Sequence, residues 1–307
     1  MNRHLVSLVL FGLASGLAGC SPIDLMARNA APYFSAWDDQ PHRLDAIAPG
    51  VYAWESGIER GLVLQTDDGL VVVDPFSEET ATELSTALAE TFPGVGVTHL
   101  LYSHHHLDHT RGGAALAPAE VWAHENTAWH FARYGKGEVL PPTRYLPAGD
   151  QTITLGGTTI QLLDFENAHA GHLWGFYLPD SDVLYGPDLA FCRTLPPFGF
   201  PDWNYAGLVE ALERAESLGA GTYVPSHFDR GEPGCIAEYR GLIVDGREAA
   251  LRAFDTHGMP RNEAAWFASV LKDIEADLEP DYQDWHGWDE MRIPFLTRNL
   301  SGTYLGF

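Results

Sequence analysis

His104-His105-His106-Leu107-Asp108-His109 places four potential metal ligands within six residues, directly after the apolar run Val97–Tyr102. A strand cannot continue through this segment without burying several unpaired polar groups, so the run is read as a loop at a strand end. Imidazole and carboxylate are donors that borderline metals such as zinc favour, and a catalytic metal needs an open position beside them. His104, His106, Asp108 and His109 are the candidate ligands. His105 stands between two of them and is expected to point the other way, as an outer histidine.

Moving outward, Val51–Trp54, Leu62–Gln65 and Leu70–Val73 are short runs rich in β-branched and aromatic residues, with a hairpin signal at Asp67-Asp68-Gly69. Ala81, Leu84, Leu88 and Phe92 recur at helical spacing over 78–91. Ile153–Leu155 and Thr158–Leu163 flank Gly156-Gly157, and Gly175–Leu178 and Val183–Tyr185 flank Pro179-Asp180, giving two more hairpins. A helix over 205–218 and a strand at Thr222–Val224 follow. Beyond Gly234 the pattern is helical, with Phe267, Val270, Leu271, Ile274 and Leu278 on one stripe between Pro260 and Pro280. Strands before a helix, twice over, predict an α/β arrangement of two sheets with helices outside.

The spacing His104-x-His106-x-Asp108-His109 resembles the HxHxDH signature of the metallo-β-lactamase superfamily. Further matches follow in the family's order: Asp74 after Leu70–Val73, His169, Asp188, and Val224-Pro225-Ser226-His227, where Ser226 replaces the usual glycine. The resemblance covers about residues 48–230. It implies an αββα sandwich with a helical C-terminal extension, and a dinuclear metal-dependent hydrolase. One ion would be held by His104, His106 and His169, the other by Asp108, His109 and His227, with Asp188 bridging. His172 competes with His169, which is preferred because it needs no gap to reach Tyr177 and Asp188. Zinc is the expected metal, with iron or manganese as alternatives. Two such ions would acidify a bridging water for attack on a small ester, lactone, thioester or amide, with Asp108 as ligand and orienting base. Asp74 is the candidate acceptor behind the histidines. His124, His130, His257 and His286 have no ligand spacing.

Three other readings compete. In a β-lactamase proper of the broadest zinc class, a cysteine would stand at Asp188. A mononuclear iron sulfur dioxygenase shares the first three ligands. A non-enzymatic, metal-stabilised surface protein would be expected to have lost ligands, and none is missing.

The 307 residues, 45% hydrophobic and 12% aromatic, are enough for a large packed core. A net charge of −24, from 18 Lys+Arg against 42 Asp+Glu, argues against nucleic-acid partners. Arg3 followed by the apolar stretch Leu5–Leu17 reads as a signal peptide. Leu17-Ala18-Gly19-Cys20 resembles a bacterial lipobox, which implies lipidation at Cys20. The chain is then expected to be an outer-membrane lipoprotein facing the periplasm. Residues 1–19 would be removed, 20–45 would form a tether and 46–233 the catalytic domain, and 234–307 would form a helical extension packed on that domain. Cys192 and Cys235 could pair in an oxidising compartment, but are read as two buried thiols, the commoner case. Aromatic residues in 189–205 and 129–145 are candidate walls of a small-molecule pocket, with Phe198, Trp203, Arg193 and Arg144 offering a planar surface and a carboxylate partner, or equally a proline-stiffened loop whose aromatics pack on the helical tail.

Overall fold

The computed structural model describes residues 22–306 apart from 39, 136, 138, 229–230, 233 and 259–263. The signal peptide and Cys20 lie outside the described residues. The chain forms two compact units, one of residues 37–193 and 201–244, the other of residues up to 36, 194–200 and 245–306.

The elements run in the order α1 (Pro22–Ser35), β1 (Arg43–Ala48), β2 (Val51–Ser56), β3 (Glu59–Thr66), β4 (Gly69–Val73), α2 (Glu78–Thr91) and β5 (Val97–Leu101). They continue with α3 (Leu107–Thr110), β6 (Glu120–His124), α4 (Ala128–Tyr134), β7 (Arg144–Leu146), β8 (Gln151–Leu155), β9 (Thr158–Asp164), β10 (Trp174–Leu178) and β11 (Val183–Gly186). The last are α5 (Tyr205–Ser217), β12 (Thr222–Pro225), α6 (Cys235–His257), α7 (Ala264–Tyr282) and α8 (Trp288–Leu305).

In the larger unit, β1 to β7 form one sheet in chain order, and the second sheet has the order β12-β11-β10-β9-β8. Alternation along the strands separates two apolar layers. Leu62, Leu64, Val71, Val73 and Leu101 join Ile160, Leu162, Trp174, Phe176 and Tyr185 in a core that draws on both sheets. Val63, Leu70, Val72 and Leu100 face the opposite way, onto Ala81, Leu84 and Leu88 of α2. Gly69–Val73 is buried on both faces, which is why it reads as a continuous apolar run. α2 starts where the Ser77 side chain accepts the Thr80 amide, with Glu78 and Glu79 in its first turn.

In the smaller unit, Tyr33 of α1 is fully buried, its hydroxyl donates to the Leu195 carbonyl at 2.6 Å, and its ring stacks on His286. Met291, Phe295 and Leu296 bury one side of α8, and Val270, Ile274 and Leu278 one side of α7.

The structure departs from the sequence reading in several places, and Leu107–His109, read as loop, lie in α3. The segment read as a tether holds α1 and the start of β1. Strands β1, β6 and β7 carry no clear periodic signal. Cys192 and Cys235 are joined in a disulfide, with Cα atoms 5.0 Å apart. Their 43-residue separation conceals that approach, since the fold alone brings the loop after β11 to the start of α6.

Candidate metal centre

The site lies at the C-terminal ends of strands, where open α/β sheets present their functional groups. Asp74 follows β4, Ser103 and His104 follow β5, Asp188 follows β11, and Ser226 and His227 follow β12; His169 comes from the connection between β9 and β10. Asp74 and Asp188 take positive φ, 55° and 50°. Such backbone is costly for a residue with a Cβ, and it turns each carboxylate sharply out of its strand.

Two groups of donors converge. His104, His106, His169 and Asp188 form one, and Asp108, His109 and His227 the other, each with ligand atoms within 4.8 Å of one another. Asp188 stands among both. Its Oδ2 is 3.5 Å from His104 Nε2, 3.2 Å from His109 Nε2 and 3.3 Å from His169 Nε2, and its Oδ1 is 3.2 Å from His227 Nε2. His109 Nε2 and His227 Nε2 are 3.1 Å apart, and Asp108 Oδ2 is 3.8 Å from each of them. His172 lies elsewhere, half-buried and stacked on His124 with ring centroids 5.0 Å apart.

The far nitrogens show how the rings are aimed. Asp74 is fully buried; its Oδ1 accepts the Ser103 amide at 2.8 Å and its Oδ2 accepts the Ser103 hydroxyl at 2.6 Å. Asp74 Oδ2 also accepts Nδ1–H of His109 at 2.9 Å. The Ser103 hydroxyl, committed to Asp74, accepts Nδ1–H of His104 at 2.9 Å. Both rings therefore aim Nε2 into the cluster, the atom each would offer a metal. His104 Nε2 is buried and makes no hydrogen bond. Burial, and then the neighbouring His109 and His106, hold that imidazole well below its ordinary pKa, so it stays neutral. A buried neutral imidazole with an unused lone pair, facing a buried carboxylate, is a donor set that fits a divalent cation. For Asp188, burial would raise the pKa, but His109 and His227 outweigh it and keep the carboxylate ionised.

Two positions go beyond the sequence reading. Asp202 receives both far nitrogens of the remaining rings, with Oδ2 3.0 Å from His106 Nε2 and Oδ1 3.3 Å from His169 Nδ1. Glu59, paired through its backbone with His227, is mostly buried beside the second group, and its side chain accepts from the Thr80 hydroxyl. The four candidate wall residues are placed differently. Arg144 lies on β7 with its guanidinium 4.6 Å from the centre of the Trp122 ring, an attraction that occupies it there. Trp203 is 4% exposed, packed inside and not presented at a mouth. Arg193 is exposed at positive φ, and Phe198, in the smaller unit, sits against Phe34.

The α subunit of 2,4-dinitroanisole O-demethylase from Nocardioides sp. (strain JS1661) is 32% identical over 184 residues, 59% of this chain and 56% of that one, so the chain spans about half the length of the relative it matches. A metallo-beta-lactamase from Pontibacter korlensis superposes with a TM-score of 0.58 at 23% identity, covering 66% of this chain and 99% of that one. A stereoselective inverting sec-alkylsulfatase from Pseudomonas sp. gives a TM-score of 0.66 at 15% identity, covering 90% and 54%. These two structural likenesses are of fold. The family model of the metallo-beta-lactamase superfamily matches residues 61–227. That span is more than half of the 307 residues and carries the whole histidine and aspartate cluster, and the chain belongs to the metallo-beta-lactamase superfamily.

Proposed function

We propose that the protein is a hydrolase with a two-ion centre, zinc in the simplest case, acting on a small ester, lactone, thioester or amide. The observation that carries this reading is the placement of Asp188 between two complete donor groups. One ion would be held by His104, His106 and His169, the other by Asp108, His109 and His227, with Asp188 shared. Bound there, the ions would supply Lewis-acid activation of a water and of the substrate's reacting oxygen.

The chain's own residues do the rest. His104, His109 and Asp188 form a buried wall that excludes bulk water and strengthens every charge interaction inside it. Asp108, with its side chain 56% exposed, faces the open side, where its carboxylate orients the attacking water and accepts its proton. Asp74 fixes the proton of His109 on Nδ1, and Asp202 keeps the rings of His106 and His169 turned inward.

A second reading, hydrolytic cleavage of an aryl methyl ether, is favoured by the relative whose name assigns it O-demethylation of 2,4-dinitroanisole. We also propose export and anchoring through Cys20, which the Cys192–Cys235 disulfide supports because such bonds persist in oxidising compartments. Cys20→Ser is then expected to release the protein from membranes. The catalytic proposal is tested with soluble protein on a panel of esters, lactones, thioesters, amides and 2,4-dinitroanisole. Turnover of at least one class, abolished by chelation and restored by zinc, is expected; a metal-loaded protein inert on the whole panel counts against it.

A further inference from the structure

The loop that carries the candidate ligands also forms a wall of a cavity that the metal chemistry does not use. This cavity of about 250 Å³ is lined by His105, His106, Leu107, His130, Phe131 and Tyr134, among others. Among the described residues its lining includes no carboxylate, in a chain whose net charge is −24. The His105 and His130 rings stack with centroids 3.5 Å apart and planes at 24°. Phe131 is buried, whereas Leu107 and Tyr134 are 47% and 57% exposed. His105 Nδ1 is buried without a hydrogen-bond partner. His106 belongs to both features: its Nδ1 is 3.2 Å from His169 Nε2 in the donor cluster, while its ring lines the cavity.

Resting on the hydrolase reading, we propose that this cavity receives a flat, apolar group of the substrate, a single aryl ring joined to the reacting centre by one or two bonds. Three observations select that occupant. The cavity is continuous with a candidate metal ligand, so a group lodged in it is close to the centre. A cavity of about 150 Å³ suffices for benzene, so this volume accommodates one substituted ring. Most of the residues named there carry aromatic or imidazole rings, against which an aryl ring gains beyond its area of contact. Scattered apolar side chains at a surface need no explanation, but here they border a concave site beside the donor cluster.

The test uses His130→Ala and Tyr134→Ala, neither of which is a candidate ligand, each checked for unchanged metal content. Benzyl acetate, methyl phenylacetate and ethyl acetate are compared as substrates, and binding of benzyl alcohol is followed by saturation-transfer NMR. We expect kcat/KM on the better aryl ester to fall at least tenfold in both variants, mainly through KM. Ethyl acetate should change less than twofold, and benzyl alcohol should bind wild type and neither variant. Equal losses on all esters, a wild-type preference for long-chain alkyl esters, or benzyl alcohol binding that the variants leave unchanged would each overturn the proposal. If benzyl alcohol binds as expected but the metal-loaded protein hydrolyses no ester, the cavity assignment stands and the hydrolase reading falls.

Discussion

The Ser226 hydroxyl donates to Asp188 Oδ1 at 2.8 Å, and its oxygen accepts the Asp188 amide at 3.0 Å. One side chain thus fixes both the backbone turn and the carboxylate of the residue shared by the two donor groups. Ser226 is fully buried, so nothing from solvent replaces it. Ser226→Ala is expected to leave the Asp188 amide unpaired, at about 1–3 kcal/mol of folding stability. It should also weaken metal binding by about 10- to 100-fold, the usual effect of losing a supporting contact behind a ligand. Urea denaturation and competitive chelator titration check both; a variant with wild-type metal affinity would show that Asp188 needs no such support.

Asp202→Asn keeps shape and removes the charge facing His106 Nε2 and His169 Nδ1. The expected result is a drop in metal affinity of about 10- to 100-fold with little change in folding stability, because Asp202 is partly open to solvent. Isothermal titration with zinc checks it, and unchanged affinity would reduce Asp202 to a surface carboxylate.

His169→Ala is expected to lose bound metal and His172→Ala to retain it, measured by elemental analysis of purified protein. His169 Nε2 is 3.3 Å from Asp188 Oδ2, whereas His172 is engaged with His124 and lies 3.4 Å from Asn126 Nδ2 through its Nδ1. The opposite pattern of occupancy would contradict this placement.

How legible was this centre in the sequence? The run His104–His109 announces itself because a strand cannot absorb so many polar groups, and Asp188 and His227 follow strands that read clearly as apolar runs. Asp202 gives no comparable signal. It is a lone carboxylate in an aromatic loop, and only the fold brings it to two histidines from different loops. The same loop reads as a pocket wall, yet Trp203 packs inside and Phe198 belongs with Phe34, since aromatic composition does not reveal which way a side chain faces. β7 is missed because three residues show no period, and β6 because its buried run takes in the polar His124.

Asp164 supplies a pH-dependent contribution to stability. Burial alone would raise its pKa, but hydrogen bonds from His124 and the Gly149 amide outweigh that and hold the carboxyl below its ordinary range. A folded-state pKa below the unfolded one means stability that is present above the ordinary carboxylate value and lost as pH falls through the folded one. Asp164→Asn is therefore expected to destabilise metal-free protein by about 2 kcal/mol at pH 7, with the gap narrowing below about pH 4. Denaturant midpoints across that range decide it; a gap independent of pH would contradict the assignment.

Reducing the Cys192–Cys235 bond, or replacing both residues with serine, is expected to cost about 4 kcal/mol, the chain-entropy value for a loop of 43 residues. Thermal unfolding with and without reductant measures it, and identical curves would show that the loop is already held by its packing.

The central claim is that Asp188 is shared by two metal ions, and metal stoichiometry tests it most directly. Protein lacking residues 1–20, supplied with zinc and freed of excess, is measured by inductively coupled plasma mass spectrometry. About two ions per chain are expected for the wild type, and about one or fewer for Asp188→Ala and for His227→Ala. A single tightly bound iron in the wild type, with no second metal under replete conditions, would contradict the account.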